Sequence, residues 1–343
     1  MKRRDLIVGA VTAGAMPAIL RRGALAQDAL KMRISLDTSA THTRTVQMTR
    51  FAAELNKRAG GKLHVEVFHS AQLFRDRDVA KALRQGGTEM GVPGPWNLTG
   101  LEPNVDVFQT PAFYGRVREE IYKVSDGDVG KDLNGRLEKK IGVHVPGKWL
   151  DLGSAHTFST KTPLHSSDDM KGLKVRTSGG KGQFVRVKFF GGIPNFTAWP
   201  DVPLALSQGT FDALLTTTES CVSAKLWESG IKYNVQDNHF FAQYIPMISA
   251  SFWKKLPADL QKHITTTWAD MVGGFRDEMA KSQAHAVDVI KEKGITVAQP
   301  SKADIEAARK RLMATQDEVS KELGLEAALV ARASAALGIN GKA

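Results

Sequence analysis

Between Leu30 and Val92 the apolar residues switch repeatedly between period-two and helical spacing, and that alternation narrows the possible folds more than any other feature. Leu30, Met32, Ile34 and Leu36 alternate with polar neighbours, the pattern of a half-buried strand. A polar turn over 37–43 leads to Met48, Phe51, Ala52 and Leu55 at helical spacing, and Gly60-Gly61 stops the helix. Leu63, Val65 and Val67 alternate again. Val79, Ala82 and Leu83 mark a second helix ending at Gly86-Gly87, and Met90 to Val92 opens a third strand. Strand–helix–strand–helix–strand at this spacing predicts a parallel, doubly wound sheet.

The same grammar restarts after residue 150. A short strand over 172–176, helices over 183–190 and 201–207, and a buried strand over 211–215 are predicted. After Trp253 the pattern is mostly helical. Val272, Phe275, Met279, Ala286 and Ile290 share one long face, which Gly273-Gly274 is expected to bend or weaken. With 343 residues the chain suits two lobes better than one. The expected fold class is α/β, two-lobed, with long C-terminal helices and a ligand beyond the carboxyl ends of strands.

At 42% hydrophobic and 24% charged residues, the composition excludes disorder and coiled coil. A single cysteine, Cys221, excludes an internal disulfide framework and is expected to be a small, partly buried apolar residue. Lys2-Arg3-Arg4, an apolar stretch from Leu6 to Leu20 and Ala24-Leu25-Ala26 read as an export signal over 1–26. Its arginine pair followed by Asp5, Leu6 and Ile7 resembles a twin-arginine signal; an ordinary secretory signal is the alternative. That segment carries +4 of the formal +11, leaving +7, too little for a nucleic-acid footprint. After Gln27 no apolar run reaches the about 18 residues of a membrane span, so the mature chain is expected to be soluble.

Catalytic motifs are scarce. There is no Gly-x-Ser-x-Gly elbow. Ser178-Gly179-Gly180-Lys181 matches Ser-x-x-Lys without its companion motifs, and it lacks the glycine spacing of a phosphate loop. His64 and Glu66 share one strand face while His69 points to the other, which favours solvated surface over a metal site. No catalytic residue, metal or cofactor is expected. An exported two-lobed chain of this kind points toward binding.

Four motifs then fall in register. Asp169-Met170-Lys171-Gly172-Leu173-Lys174-Val175-Arg176 resembles the signature of the solute-binding proteins of tripartite ATP-independent periplasmic (TRAP) transporters. Gly60-Gly61-Lys62-Leu63 with Ser70-Ala71-Gln72-Leu73 resembles the first lobe of that family. Val202 to Gly209 with Phe211-Asp212, and Trp253-Lys254-Lys255-Leu256-Pro257-Ala258-Asp259-Leu260-Gln261, resemble its later segments. Order and spacing agree over about residues 30–300.

The resemblance implies a receptor that closes on a small carboxylate and delivers it to TRAP membrane subunits. It implies that Arg176 forks onto the ligand carboxylate, for which a planar guanidinium offers two parallel donors. It places an aromatic over the ligand at Trp199. The second arginine of some relatives falls at His156, and the family asparagine at Thr216; both can still hydrogen-bond an acid. Leu73-Phe74 and Ala213 depart from the pattern as well, which points away from sialic acid or a plain C4 dicarboxylate. His156, if it touches the acid, predicts tighter binding below its pKa. From the first lobe, His42, Asp76, Trp96 and Asn97 follow strand ends, with Trp96 either a stacking platform or a loop anchor. Glu219 either accepts ligand hydroxyls or faces the hinge, and Phe113 reads as core. The expected division is 27–153 with 242–282 as lobe I, and 154–241 with 283–343 as lobe II. Competing readings are a receptor for an ATP-driven importer, an exported enzyme on a bilobal scaffold, and a sensory module.

Overall fold

The structure, a computed structural model, describes residues 29–339; the expected export segment over 1–26 lies outside the described residues. Eleven strands are described in chain order: β1 (Leu30–Ser35), β2 (Leu63–Phe68), β3 (Met90–Gly91), β4 (Val143–His144), β5 (Leu150–Ser159), β6 (Lys174–Thr177), β7 (Ile193–Phe196), β8 (Ala213–Thr217), β9 (Tyr233–Tyr244), β10 (Met247–Ser249) and β11 (Thr296–Ala298). They form two sheets, ordered β2-β1-β3-β10-β4 and β11-β9-β5-β8-β6-β7.

The predicted β1–helix–β2–helix–β3 unit is present, with helices at Thr43–Ala59 and Asp76–Gln85 and parallel pairing of β1 with both neighbours. Gly60 and Gly86 end those helices in the left-handed conformation, which costs glycine no Cβ clash. Parallel pairing is only part of each sheet. β10 runs antiparallel to β3 and β4, and β5 runs antiparallel to β8 and β9. Parallel neighbours need a long, usually helical crossover. The chain passes from β4 to β5 and from β9 to β10 through short links between sheets, so those strands escape the constraint.

Helix Ala258–Glu292 runs unbroken through Gly273-Gly274, contrary to the expected weakening. Both glycines face open space, where no packed side chain is lost. The helix packs on Thr43–Ala59, on β5 and on β11, and so runs along both sheets. Its Val272, Phe275 and Met279 join one apolar cluster that includes Met32 and Ile34 from the first sheet and Val175 and Leu215 from the second. Cys221 is buried in a separate cluster beneath the second sheet, and Phe113 is core. The closing helices depart from the expected division: Leu329 and Ala333 of helix Ala327–Ala336 pack with Val124, Leu133 and Met247, on the first sheet's side. The apolar side of that helix packs against helices Arg118–Ser125 and Asp128–Leu137.

Candidate functional site

Between the sheets lies a cleft, partly continuous with solvent. Strand ends from both sides build it. β1 delivers Asp37 and Thr38, helix Asp76–Gln85 starts with Asp76 and Arg77, and the 3-10 turn Pro95–Asn97 adds Trp96 and Asn97. The second sheet contributes Arg176 and Ser178 after β6, Phe196 and Trp199 after β7, Thr216 and Thr217 on β8, and Tyr244 on β9. Gly179 and Gly180 hold positive φ, and a Cβ on Gly180 would press on Trp96 at 3.3 Å, so the glycine pair admits the loop from the opposite sheet.

Arg176 dominates the second wall. It is 2% exposed, donates from Nε to the Thr197 carbonyl at 2.9 Å and from Nη1 to Ser178 Oγ at 3.2 Å and the Leu215 carbonyl at 3.3 Å. Its Nη2 donates to no protein atom and no carboxylate pairs with it among the described residues. Trp199 lies 5.5 Å from its guanidinium. Burial pulls its pKa down to about 10, and Asp37 and Tyr244 only partly oppose that. It remains charged at neutral pH, a desolvated cation without a counter-ion.

A different arginine stands behind the first wall. Arg44, fully buried, donates to Asp37 Oδ1 at 3.0 Å, to Asp76 Oδ1 at 3.2 Å and to the Val92 carbonyl, and stacks on the Tyr244 ring at 3.6 Å. Burial opposes its charge, but Asp76 and Asp37 outweigh burial and hold the guanidinium above its ordinary value.

A serine–histidine–carboxylate contact behind the cavity wall is not catalytic. His42 Nε2 lies 2.9 Å from Ser220 Oγ and 2.8 Å from Glu219 Oε2. His42 Nδ1, however, accepts the Arg44 backbone N–H, capping helix Thr43–Ala59. In the neutral imidazole the proton therefore sits on Nε2, facing Ser220, which leaves no base to activate that hydroxyl.

A wall cation waiting for an anion is how a receptor is built, and comparison with known proteins agrees. Residues 34–322 match the model for "Bacterial extracellular solute-binding protein, family 7". The chain belongs to that family. It is 27% identical over 293 residues to the C4-dicarboxylate-binding periplasmic protein DctP of Rhodobacter capsulatus, covering 84% of this chain and 85% of that one. It is also 27% identical over 269 residues to the 2,3-diketo-L-gulonate-binding periplasmic protein YiaO of Escherichia coli, covering 78% and 81%. Among solved structures, a TRAP periplasmic solute-binding protein from Sulfurospirillum deleyianum with bound succinate superposes with TM-score 0.82 at 25% identity, over 90% of this chain and all of that one. The protein is thus a two-lobed TRAP-type solute-binding receptor and not an enzyme.

Six of the residues expected to touch ligand line the receptor's cavity: Arg176, Thr216, Trp199, Trp96, Asn97 and Asp76. Trp96 is anchored as well as exposed to the cavity, folding over Gly94 and meeting Phe240 and Tyr244 edge-on. Three expected residues stand elsewhere. His42 and Glu219 sit behind the wall. Burial would raise the Glu219 carboxyl, but His42 and the Thr43 hydrogen bonds hold it below its ordinary value. His156 lines a separate cavity with Ser154, Thr218 and Asn238, and its Nδ1 accepts the Asn238 N–H at 3.2 Å. Successive side chains of β5 point to opposite faces, so Ala155 lines the first cavity while its neighbour turns away. Burial pulls the His156 pKa down to about 3, so the expected titrating contact with an acid is replaced by a neutral structural imidazole.

Asp37, Arg44 and Tyr244 were not anticipated. Asp37 immediately follows β1, so the strand-end rule that singles out His42 applies to it equally. Tyr244 closes β9, a strand with no clean alternation in the sequence.

Proposed function

We propose that this receptor captures a small organic acid in the periplasm and passes it to the membrane subunits of a TRAP transporter driven by an ion gradient. The observation that carries the reading is Arg176, a buried guanidinium with a free donor edge and no carboxylate partner. An incoming carboxylate supplies the missing charge and accepts parallel hydrogen bonds. Thr216 adds a hydroxyl, and Trp96 and Trp199 flank the ligand body. The ligands of the relatives support an acid: C4-dicarboxylate, 2,3-diketo-L-gulonate and succinate. A galactonate-bound sugar acid binding protein from Advenella mimigardefordensis shares the fold at TM-score 0.84.

The lobes of the proposed receptor hinge at the β4–β5 and β9–β10 links and along helix Ala258–Glu292. Arg75 on the first side bonds Asp201 on the second through both guanidinium nitrogens, a clasp at the cavity mouth that favours the closed form. The basic start with paired Arg3 and Arg4 favours export by the twin-arginine route. Thermal-shift measurement of the mature protein against a broad panel of carboxylic acids tests the reading. A ligand at a hundred times its dissociation constant adds about 2.7 kcal/mol. A narrow group of acids is expected to raise the melting temperature, and silence across the panel with folded, ligand-free protein would reject the reading.

A further inference from the structure

The two sides of the molecule also meet beside the cavity, along helix Lys181–Phe189. That helix follows β6 of the second sheet and sits on the 3-10 segment Pro103–Gln109, whose Val105, Val107 and Phe108 belong to the core on the first sheet's side. Glycines allow the approach. A Cβ on Gly182 would lie 2.3 Å from Gln109 Cβ, and one on Gly180 would lie 3.3 Å from Asp106 Oδ1. The glycine run over 178–182, which has no catalytic companions in the sequence, is therefore a landing face for the opposite side.

Asp106 is the charged group caught in that seam. It is 2% exposed, and its Oδ2 accepts the Gly182 N–H at 3.3 Å. Its Oδ1 is buried with no hydrogen-bond partner among the described residues. The same holds for Gln109 Oε1, one 3-10 turn along and against the same glycine. The neighbouring cations give little. Arg186 donates to the carbonyls of His239, Gln109 and Thr110, and the Lys181 side chain is exposed. Elements packed on the segment add no counter-ion either. The turn Pro95–Asn97 has no ionisable side chain, and burial with Arg186 keeps His239 on β9 neutral. Arg332 of helix Ala327–Ala336 is held by Asp132, and Glu102 at the segment's start pairs with Lys140.

We infer that Asp106 is a positioning residue for ligand capture and makes closure proton-dependent: the lobes shut over its carboxyl more readily when it is protonated than when it is ionised. The inference rests on the hinged-lobe reading above and goes beyond it. An ionised carboxylate has about four lone-pair sites, and the first turn of the helix serves only one of its two oxygens here. Taking that charge out of water costs more than so few donors return. A proton supplies a donor to a corner where two buried oxygens lack one. Burial accordingly pushes the Asp106 carboxyl up to about 7, over the opposing Gly182 N–H, Arg186 and Lys181. With the lobes apart the group returns to water and to the ordinary carboxylate range. A receptor built this way closes more readily in acidic surroundings, with no contact to the acid altered.

Spin labels at Lys81→Cys and Gln208→Cys, exposed positions on either side of the cleft, report lobe separation by double electron–electron resonance; Cys221 is buried and stays unlabelled. Mature, ligand-free protein is expected to show a short and a long distance. The short-to-long ratio should rise about fortyfold between pH 7 and pH 5, the linkage for one carboxyl titrating near 7 when closed and in its ordinary range when open. Asp106→Asn, which keeps an acceptor for the Gly182 N–H, should abolish that rise. Gly182→Ala should hold the seam open and leave only the long distance at both pH values, without entering either core. A ratio that ignores pH, a single distance at both pH values in the parent, or an equal rise in folded Asp106→Asn protein would overturn the inference. If Asp106→Asn does not fold, a pH-dependent short distance retained in Gly182→Ala would do the same. None of these outcomes touches the carboxylate reading, which the thermal-shift panel decides separately.

Discussion

Two buried arginines face each other through this receptor, and their surroundings differ in one respect. Arg44 is ringed by Asp37 and Asp76, while Arg176 has only carbonyls, a hydroxyl and an aromatic ring. The same side chain is consequently pushed in opposite directions, above its ordinary pKa at Arg44 and down to about 10 at Arg176. A buried cation that already holds its counter-ions stabilises the fold. One that lacks them is a cost carried until a ligand arrives. Equal burial therefore says little about role; the partner set decides it.

Exchanging the roles breaks the comparison most sharply. Arg176→Ala should weaken acid binding by about 100- to 10,000-fold, since two charge-assisted hydrogen bonds contribute about 3–6 kcal/mol together. Its unfolding free energy should change less than that of the Arg44 variant, because the lost hydrogen bonds to Thr197, Ser178 and Leu215 are offset by removal of a buried charge that has no counter-ion. Arg44→Leu should do the reverse. It strands two carboxyls in the interior, and breaking a buried pair of this kind costs about 3–5 kcal/mol. Titration calorimetry and urea unfolding on both variants read the contrast. Equal stability losses would mean the two sites are energetically alike.

The sequence carried one half of this comparison well. Arg176 ends a strand inside a recognisable motif, and Trp199 and Thr216 follow at motif spacing. The repeating strand–helix pattern likewise yields β1 to β3 and their helices almost residue for residue. Arg44 was invisible because nothing local marks a helix residue whose partners come from 37, 76 and 92. His156 was misplaced for a related reason. Counting residues back from Arg176 lands on β5, but neighbouring side chains of a strand alternate faces: Ala155 lines the ligand cavity and His156 the other one, and a count good to one residue does not choose between them. Where the last helix, Ala327–Ala336, packs was not legible, because its stripe of apolar residues does not say which neighbour it meets.

Proton occupancy sharpens the comparison next. Asp76 is pushed up to about 8, chiefly by burial and by Asp37, with Arg44 opposing. Below that pH it is neutral. Above it a new negative charge faces the cavity beside Asp37, Arg44, Tyr244 and Arg176. Acid affinity should accordingly fall about twentyfold as pH rises from 7 to 9.5, the size expected for one charge about 8–10 Å away at an effective dielectric near 20. Asp76→Asn should flatten that fall, and a profile unchanged by the substitution would remove Asp76 as its source. The Arg75–Asp201 clasp belongs lower in the order. Both side chains are well exposed, at 38% and 47%, and exposed pairs contribute about 0.2–1 kcal/mol. Arg75→Ala should therefore cost only about two- to fivefold in affinity, read as faster ligand dissociation.

The smallest binding effect is expected at His156, and it separates the two cavities. Its imidazole is buried, bonded to the Asn238 N–H and 3.9 Å from Asp237, with Thr218 and Gln236 lining the same space. With a folded pKa near 3 against an ordinary 6.5, it stays neutral through the range in which ligand binds. His156→Ala should leave the dissociation constant within about twofold between pH 5.5 and 7.5, because a residue outside the ligand cavity changes no contact to the acid. Its mark should appear in stability instead. The unfolded chain binds a proton here below about pH 6.5 and the folded chain does not, so His156 stabilises the fold at neutral pH and loses that contribution as pH falls through 6.5 toward 3. The slope approaches about 1.4 kcal/mol per pH unit. Subtracting the variant's urea-unfolding profile from the parent's isolates that slope from the opposing titration of Asp237. A tenfold loss of acid affinity with no change in slope would instead put His156 in contact with the ligand.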